Sequence, residues 1–407
     1  MPEAQAAVAF PLSEPLESRM PCKICGASAF LFDVVDFNKH CSENPYTFGL
    51  AGVPVYYYCC SACGLIYTTY FDKWSDDQFA NFVYNADYIK VDSDYIEKRP
   101  TETANRLAPY FLTQPELTIL DYGSGSGLFA ERLREHGVSD VESYDPFASP
   151  ERPTRKFDII TCIEVIEHSP FPLATLADMM SYLNGTGVIL LGTALQPDDI
   201  ARTRAGWWYI GPRNGHVTIF NEVSLTQLAE KCGMVFYPGE GLHGLCFPDV
   251  KSTIDPSRFG AARPLRCHTL YAPDHPSAGD PAGGWHDLER GVGGCYRWTA
   301  TRELTWQISL FRGSRIRVEI PFVMEVQPGF AEGSVIMIGD KVVPVRIVPG
   351  LSEGLRMLAH IDIDYASAHE IVLRMPEPKT PSAFRQSSDQ RFLGIAVSVP
   401  PTVPRLN

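Results

Sequence analysis

The sequence predicts an α/β protein in which a parallel-sheet domain lies between an N-terminal cysteine-rich module and a C-terminal antiparallel β-sandwich. Two Cys-x-x-Cys pairs fall within residues 21–70, which predicts a small metal-binding module. Short apolar strands alternate with helical patterns between about residues 115 and 250, which predicts a mostly parallel sheet. Strands separated by turn signals fill residues 265–400, which predicts the sandwich. A chain of 407 residues is long enough for two or three domains.

Composition and charge limit the class of partner. Hydrophobic residues make up 45% of the chain and charged residues 20%, so there is material for true cores. The formal net charge of -13 offers no broad basic surface, so we expect a small-molecule or glycan substrate rather than a nucleic acid. The sequence does not indicate an oligomeric state.

Residues 1–20 are expected to form a disordered tail. They carry acids and prolines and lack the basic start of a signal peptide, and no apolar run in the chain is long enough to span a bilayer. We therefore expect a cytoplasmic protein without a membrane span. In that reducing compartment an odd number of cysteines, eleven, calls for a metal or free-thiol explanation before a disulfide one.

The two cysteine pairs predict a zinc site. Cys22 with Cys25, and Cys60 with Cys63, are each followed by a glycine that lets backbone amides turn toward sulfur. Four thiolates fill a tetrahedral zinc ion and leave no open position, so the ion would fold the N-terminal module rather than catalyse a reaction. In a different register, the neighbouring Cys59 would substitute as a zinc ligand. The alternative to a zinc site is a set of free or redox-active thiols.

Residues 117–129 predict a strand, a glycine-rich turn and the start of a helix. Three glycines in the turn allow the backbone to bend tightly and to approach a ligand closely. A second predicted strand over 138–144 ends in Asp145, at the place where an acid grips a ribose diol.

The turn D-Y-G-S-G-S-G, residues 121–127, resembles the first motif of class I S-adenosylmethionine-dependent methyltransferases, and the similarity extends over about 115–250. The resemblance implies a Rossmann-like methyltransferase domain, which we place at 71–255 with a helical lead-in over 71–114. One departure concerns the third strand of that fold. Residues 146–156 are too few for a further helix and strand, so we expect that strand to be missing or reduced.

The resemblance also implies that S-adenosylmethionine is the cofactor. The glycine turn would lie against its methionine part, Asp145 would bind its ribose, and Phe147 with Cys162 and Ile163 would hold its adenine. An NAD-binding Rossmann unit is the alternative. The expected cofactor contacts are Asp121, Gly123, Ser124, Gly125, Gly127, Asp145, Pro146, Phe147, Cys162 and Ile163.

A polar cluster follows the next predicted strand. If the segment after it is helical, Glu164, Glu167 and His168 lie on one face, where they suit Mg²⁺ or Mn²⁺. The run E-x-x-E-H resembles the metal-dependent small-RNA 2′-O-methyltransferases, in which these residues and a later histidine hold Mg²⁺, and ubiquinone-pathway O-methyltransferases carry a similar run. The alternative is a helix-capping acid and a packed histidine without a metal.

His216 is the candidate for the later histidine. It stands in an aromatic, glycine-containing loop before a helix predicted between Asn221 and Gly233. With a metal it would be a fourth ligand, and without one it would act as general base. The expected catalytic residues are His216, Glu164, Glu167 and His168. The aromatic run 207–209 in the same loop is either core or a platform for a sugar ring.

The C-terminal third has its own strand patterns, at 314–320, 334–338 and 341–347. A loose resemblance to a β-sandwich module appended to bacterial surface-polysaccharide enzymes rests on segments 283–289, 296–299 and 389–397. It implies a domain that holds a glycan or a partner enzyme. A stabilising or oligomerising domain without a ligand is the alternative.

Together these observations predict a zinc-stapled, S-adenosylmethionine-dependent O-methyltransferase of polysaccharide biosynthesis. Its acceptor is expected to be a sugar hydroxyl, in a nucleotide sugar or at a surface-glycan terminus, with Mg²⁺ or Mn²⁺ assistance left open. Three alternatives remain. Sugar C-methyltransferases resemble the chain at the cysteine pairs and the histidine loop, RNA 2′-O-methylation fits E-x-x-E-H but not the acidic charge, and a non-catalytic glycan-binding protein would keep the fold without activity.

Overall fold

The computed structural model describes most of the chain as two compact units, residues 1–263 and 264–407. The described residues are 16–147, 151–197, 199–248, 265–269, 284–287, 289–291, 294–310, 315–349, 354–362, 367–381 and 389–399. Residues 1–15 of the predicted tail, and most of the proline-rich and glycine-rich stretch after residue 256, lie outside them.

The first unit contains the helices and two of the sheets. Its helices are α1 Asp76–Phe82, α2 Lys98–Phe111, α3 Leu128–Glu135, α4 Pro172–Ser181, α5 Ile200–Thr203 and α6 Glu222–Lys231. Its strands are β1 Arg19–Pro21, β2 Ser28–Asp36, β3 Pro54–Cys60, β4 Ile66–Thr68, β5 Ile119–Tyr122, β6 Val141–Tyr144, β7 Phe157–Ile163, β8 Leu183–Gly192, β9 Thr218–Ile219, β10 Val235–Tyr237 and β11 His243–Cys246.

The central sheet has the strand order β10-β11-β8-β7-β5-β6. Strands β6, β5, β7 and β8 are parallel, and β11 pairs antiparallel with both β8 and β10. This arrangement confirms the predicted Rossmann-like α/β fold. Within the described part of the chain no strand lies beyond β6, which agrees with the expectation from the short segment 146–156.

Amphipathic helices cover this sheet and build its core. In α2 the buried residues recur at helical spacing, and Leu107 and Phe111 pack with Leu133 of α3 and Ile119 of β5. Helix α6 begins and ends as predicted, because Asn221 forms a capping box with Ser224 at one end and a glycine follows at the other. Among the described residues no helix is long and apolar enough to cross a membrane.

The other sheet of this unit joins the N-terminal module to the central domain. Its order is β1-β2-β3-β4-β9, and all neighbours are antiparallel. Strand β9 comes from the loop that follows His216, so the cysteine module and the histidine loop share one sheet. Strand β1 begins at Arg19, within the last two residues of the stretch predicted as a tail.

The described residues of the second unit form two sheets. Its strands are β12 Leu265–Thr269, β13 Glu289–Gly291, β14 Gly294–Trp298, β15 Glu303–Leu310, β16 Arg315–Glu325, β17 Val335–Ile338, β18 Lys341–Pro344, β19 Arg346–Pro349, β20 Leu355–Asp362, β21 Ser367–Arg374 and β22 Ile395–Val399.

These sheets confirm the predicted sandwich, with two corrections. One sheet has the order β13-β14-β22-β16-β20-β19 and the other has the order β15-β21-β17-β18. Val318 of β16 and Leu373 of β21 lie in one hydrophobic core, so the two sheets pack together. The pairing of β12 with β16 is parallel rather than antiparallel. The strand predicted over 341–347 is two strands, β18 and β19, which belong to different sheets.

Candidate functional site

The glycine turn between β5 and α3 has the backbone shape that its sequence predicts. Gly123, Gly125 and Gly127 have φ values of 76°, 53° and 79°. A Cβ at Gly123 would lie 2.5 Å from the Val165 side chain, whereas one at Gly125 would meet nothing within 4 Å. Gly123 is therefore required by packing, and Gly125 borders open space in which a ligand fits.

Asp145 reaches this turn from the end of β6. Its carboxylate accepts hydrogen bonds of 2.8 Å from the backbone N–H groups of Gly125 and Phe147. Phe147 is 65% exposed and contacts Phe79 of α1, with ring centroids 6.2 Å apart. Beside them Pro146 is exposed and Ser124 is half-buried. Asp145, the predicted ribose-binding acid, therefore lies next to the glycine turn that is predicted to contact the methionine part of the cofactor.

The two remaining predicted adenine contacts differ in exposure. Cys162 of β7 is fully buried, while Ile163 at the end of the strand is half-buried and lies against Gly192. The thiol is therefore part of the core, and only Ile163 offers side-chain surface at the strand end.

Asp121 lies near the end of β5 below the turn and is 5% exposed. Its Oδ1 accepts a hydrogen bond of 3.1 Å from Thr161, whereas Oδ2 has no hydrogen-bond partner in the described structure. Burial raises the pKa of this carboxyl to about 7. A buried carboxylate oxygen without a partner, beside a turn that borders open space, fits the cationic end of S-adenosylmethionine.

The polar run after β7 does not form the expected α-helix. Glu164 has a φ of 54°, and the segment Ile166–His168 is a single 3₁₀ turn. The physical reason lies in the Glu167 carbonyl, which accepts a hydrogen bond of 2.8 Å from the Val217 N–H instead of continuing a helix. The expectation that three side chains share one helix face was therefore wrong.

The fold nevertheless brings most of the predicted residues together. Glu167, His168 and His216 each offer a ligand atom, and these atoms lie within 4.8 Å of one another. Glu164 is not part of that set, but Tyr209 connects it, because the Tyr209 hydroxyl lies 3.1 Å from Oε2 of Glu164 and 2.6 Å from Oε1 of Glu167.

Burial controls the charges of this cluster. Burial raises the pKa of Glu167 well above its ordinary value, and the Glu164 carboxylate raises it further. Burial lowers the pKa of His168 to about 4 and holds that of His216 well below its ordinary value. Both imidazoles are therefore neutral near pH 7, which is the form that binds a metal or accepts a proton.

The loop that carries His216 is fixed by the N-terminal module. Tyr57 of β3 donates a hydrogen bond of 2.7 Å to the His216 carbonyl, and the Cys41 N–H donates one of 2.8 Å to Asn214. The buried Lys39 ammonium donates to the Ile210 carbonyl. Sequence reasoning missed these supports, and no spacing signal along the chain could have indicated them.

The four predicted zinc ligands converge. Cys22 Sγ lies 3.6 Å from Cys63 Sγ, and Cys25 Sγ lies 3.4 Å from Cys60 Sγ and 3.8 Å from Cys63 Sγ. Tetrahedral zinc with bonds of about 2.3 Å separates its sulfur ligands by about 3.8 Å. The set therefore has the spacing to hold zinc. Cys59 instead donates to the Gly64 carbonyl at 3.9 Å and lies outside the set.

Comparisons with known proteins support the resemblance to methyltransferases that rests on the glycine turn. A family model described as a methyltransferase domain matches residues 94–236. The ubiquinone biosynthesis O-methyltransferase of Coxiella burnetii (strain Dugway 5J108-111) is 25% identical over 181 residues, which cover 37% of this chain and 76% of that protein.

Two solved structures are similar at low identity. Magnesium protoporphyrin IX methyltransferase from Synechocystis PCC 6803 with bound SAH is 11% identical at a TM-score of 0.27, and the match covers 36% of this chain and 83% of that one. The plantazolicin methyltransferase BpumL in complex with SAH is 15% identical at a TM-score of 0.31, covering 42% and 92%. From the matched family model and the geometry of its turn, the chain carries an S-adenosylmethionine-dependent methyltransferase domain.

Proposed function

We propose that this domain methylates a sugar hydroxyl, in a nucleotide sugar or at a surface-glycan terminus. The observation that carries the proposal is the convergence of Glu167, His168 and His216 within 4.8 Å of one another. Val165, in the same run as these residues, is the side chain that packs against Gly123. A group that activates an acceptor must lie next to the methyl donor, and the contact of Val165 with the glycine turn supports that placement for this cluster.

His216 is proposed as the group that takes the acceptor's proton. Its Nδ1 donates to the Tyr209 carbonyl at 2.7 Å, so Nε2 carries the free lone pair. As the hydroxyl oxygen forms its bond to the methyl carbon, the carbon–sulfur bond breaks, and the proton passes from oxygen to Nε2. The products are a methyl ether and S-adenosylhomocysteine, and solvent later removes the proton.

A divalent ion fits the same cluster. Glu167, His168 and His216 would hold it, since one carboxylate and two neutral imidazoles are a common donor set for Mn²⁺, Fe²⁺ or Zn²⁺ and a poorer one for Mg²⁺. With the ion bound, Nε2 of His216 would be occupied as a ligand, so His216 would act as general base only in the metal-free mechanism. Glu164 would remain outside the donor set. When bound, such an ion supplies Lewis acidity that lowers the pKa of an acceptor hydroxyl.

The proposal of a sugar hydroxyl as acceptor rests on features outside the polar cluster. The relatives named O-methyltransferases support transfer to oxygen. The net charge of -13 disfavours RNA as the acceptor, and the C-terminal sandwich suits a glycan-directed enzyme in the cytoplasm. A sugar C-methyltransferase is the second candidate, because a buried imidazole with a free Nε2 also suits removal of a carbon-bound proton without a metal.

For the cysteine cluster we propose a structural zinc ion. Its sulfur spacing supports tetrahedral ligation, and four thiolates leave no position for a substrate. The ion would hold the sheet that supports the His216 loop through β4 and β9.

A screen of nucleotide sugars and glycans with labelled S-adenosylmethionine tests the proposal, with and without added Mn²⁺ or Mg²⁺. We expect label in a hydroxyl-bearing sugar, and loss of transfer in Glu164→Gln and His216→Ala with cofactor affinity retained. Label on carbon, insensitive to a chelator that leaves the zinc in place, would support the second candidate. Absence of cofactor binding by titration calorimetry would leave only a glycan-binding protein.

A further inference from the structure

Tyr209 contacts three of the four residues predicted to carry catalysis. Its hydroxyl lies 2.6 Å from Glu167 and 3.1 Å from Glu164, and its carbonyl accepts the Nδ1 hydrogen of His216 at 2.7 Å. The Tyr209 and His216 rings lie 4.2 Å apart. At 1% exposure this tyrosine offers no surface as a platform for a sugar ring, so its hydrogen bonds need another explanation.

The bond from Tyr209 engages only one oxygen of Glu167. Oε1 has the phenol as partner, but Oε2 makes no well-formed hydrogen bond to the residues that the structure describes, although the side chain is fully buried and Glu164 and Thr193 lie near its carboxyl. A buried carboxylate oxygen left without a partner is costly, so it indicates a place for a ligand. Nitrogen atoms of His168 and His216 lie within 4.8 Å, which fits a cation as that ligand.

The Tyr209 carbonyl performs a matching role for His216. A carbonyl can only accept, so the hydrogen must be on Nδ1, and Nε2 is left unprotonated. A metal-binding histidine commonly donates its other ring N–H to such an acceptor, which fixes both tautomer and orientation.

Glu164 adds independent support for a functional arrangement. It is one of two non-glycine residues in the described structure with positive φ, at 54°, the other being Arg204. The strained backbone follows β7 and presents the Glu164 carboxylate to the phenol of Tyr209. Strain of this kind persists where the surrounding structure requires it, and it clusters at functional sites.

We propose that Tyr209 is the positioning residue of the Glu167–His168–His216 site. Its phenol holds one oxygen of Glu167 and its carbonyl holds Nδ1 of His216, so that the remaining donor atoms are set for a divalent ion. The inference rests on the proposed function, in which that set binds the ion. Losing a hydrogen bond that orients a metal ligand typically weakens metal affinity about 10- to 100-fold.

The test compares full-length, zinc-loaded wild type, Tyr209→Phe and Tyr57→Phe. Mn²⁺ is titrated and the free ion is followed by its electron paramagnetic resonance signal, because thiolates compete poorly for Mn²⁺. Tyr57 is the matched control. It is fully buried and its hydroxyl donates to the His216 carbonyl at 2.7 Å, but in the described structure it donates to neither glutamate.

We expect Tyr209→Phe to raise the Mn²⁺ Kd about 10- to 100-fold, and Tyr57→Phe to change it much less. Binding of S-adenosylhomocysteine and the KM for the cofactor should stay unchanged in Tyr209→Phe while kcat falls. An equal Mn²⁺ Kd in wild type and Tyr209→Phe would overturn the role of Tyr209 and leave the proposed metal site standing. Wild type that binds no Mn²⁺ would overturn metal assistance and this role with it. Loss of Mn²⁺ and cofactor binding together in Tyr209→Phe would show a general structural role and also overturn it.

Discussion

At the scale of single residues, burial favours the uncharged forms of the side chains in the site. It raises the pKa of Asp121 to about 7 and that of Glu167 well above its ordinary value, and it lowers the pKa of His168 to about 4. Both carboxyls sit where a cation is expected, a sulfonium cofactor at one and a divalent ion at the other. A cation beside either carboxylate would restore its charge, so ligand binding and ionisation should be coupled.

Asp121 should make the cofactor-free protein less stable as the pH rises. Its folded pKa of about 7 exceeds the unfolded value of about 4, so the folded state retains a proton that the unfolded state loses between those values. Its contribution to stability is therefore lost as the pH rises from about 4 to about 7.

Replacement by an amide removes that pH dependence. We expect the unfolding free energy of Asp121→Asn, relative to wild type, to increase by about 2–3 kcal/mol between pH 5 and pH 8. Urea unfolding at the two pH values measures it. A difference between the two proteins that is the same at both pH values would show that Asp121 does not titrate as described.

Gly125 should tolerate a side chain in the folded protein but not in the cofactor complex. A Cβ there meets nothing within 4 Å, and the φ of 53° costs a non-glycine residue only about 1–2 kcal/mol, so Gly125→Arg is expected to fold and to fill the space of the cofactor. We predict loss of S-adenosylmethionine binding in titration calorimetry. Gly233→Arg is the control, because Gly233 also has positive φ and open space but follows α6 and enters β10, away from the turn. Tight binding by Gly125→Arg would contradict the placement of the cofactor.

At the scale of elements, local sequence signals predicted the structure well, but they could not predict pairing between strands that are distant in the sequence. The cap of α6, the two cysteine knuckles and the glycine turn are each encoded within a few neighbouring residues. Strand β9 has two residues and exists through its pairing with β4, about 150 positions away. No periodicity can reveal such a strand.

The same limit applies to the cluster of Glu167, His168 and His216. Its residue types and approximate meeting place could be predicted, because strand ends of a parallel sheet share one edge. The 3₁₀ turn at Ile166–His168 could not be predicted, because it depends on a long-range hydrogen bond from the Val217 N–H to the Glu167 carbonyl. Nor could the hydrogen bonds of Tyr209, which depend on its burial in the finished fold.

The proposed zinc site should depend on Cys60 and not on the adjacent Cys59. We predict that Cys60→Ser abolishes the single bound zinc and lowers Tm, because Cys60 lies 3.4 Å from Cys25 within the cluster. Cys59→Ser should keep the metal, since Cys59 lies outside it. Metal content by mass spectrometry, with thermal unfolding, distinguishes them. Equal zinc content in the two variants would refute the assignment of ligands.

At the scale of the whole molecule, each of the two units has a hydrophobic core of its own. Leu133 and Ile159 belong to the core of the first unit, whereas Val318 and Leu373 belong to that of the second. The cysteine cluster, the cofactor turn and the polar cluster all fall within residues 1–263. We predict that a protein of residues 1–263 folds and binds S-adenosylhomocysteine with the affinity of the full chain. A loss of affinity of more than about tenfold, or about 1.4 kcal/mol, would show that the second unit supports the site.

In the proposed mechanism His216 acts on the acceptor rather than on the cofactor or the fold. The most direct test is the rate of methyl transfer from labelled S-adenosylmethionine to the acceptor found by screening, in wild type and His216→Ala. We predict a loss of about 100-fold or more in that rate, as expected for the removal of a general base or of a ligand to an activating metal ion, with S-adenosylhomocysteine affinity and Tm close to wild type. A variant that transfers methyl groups at the wild-type rate would contradict the account.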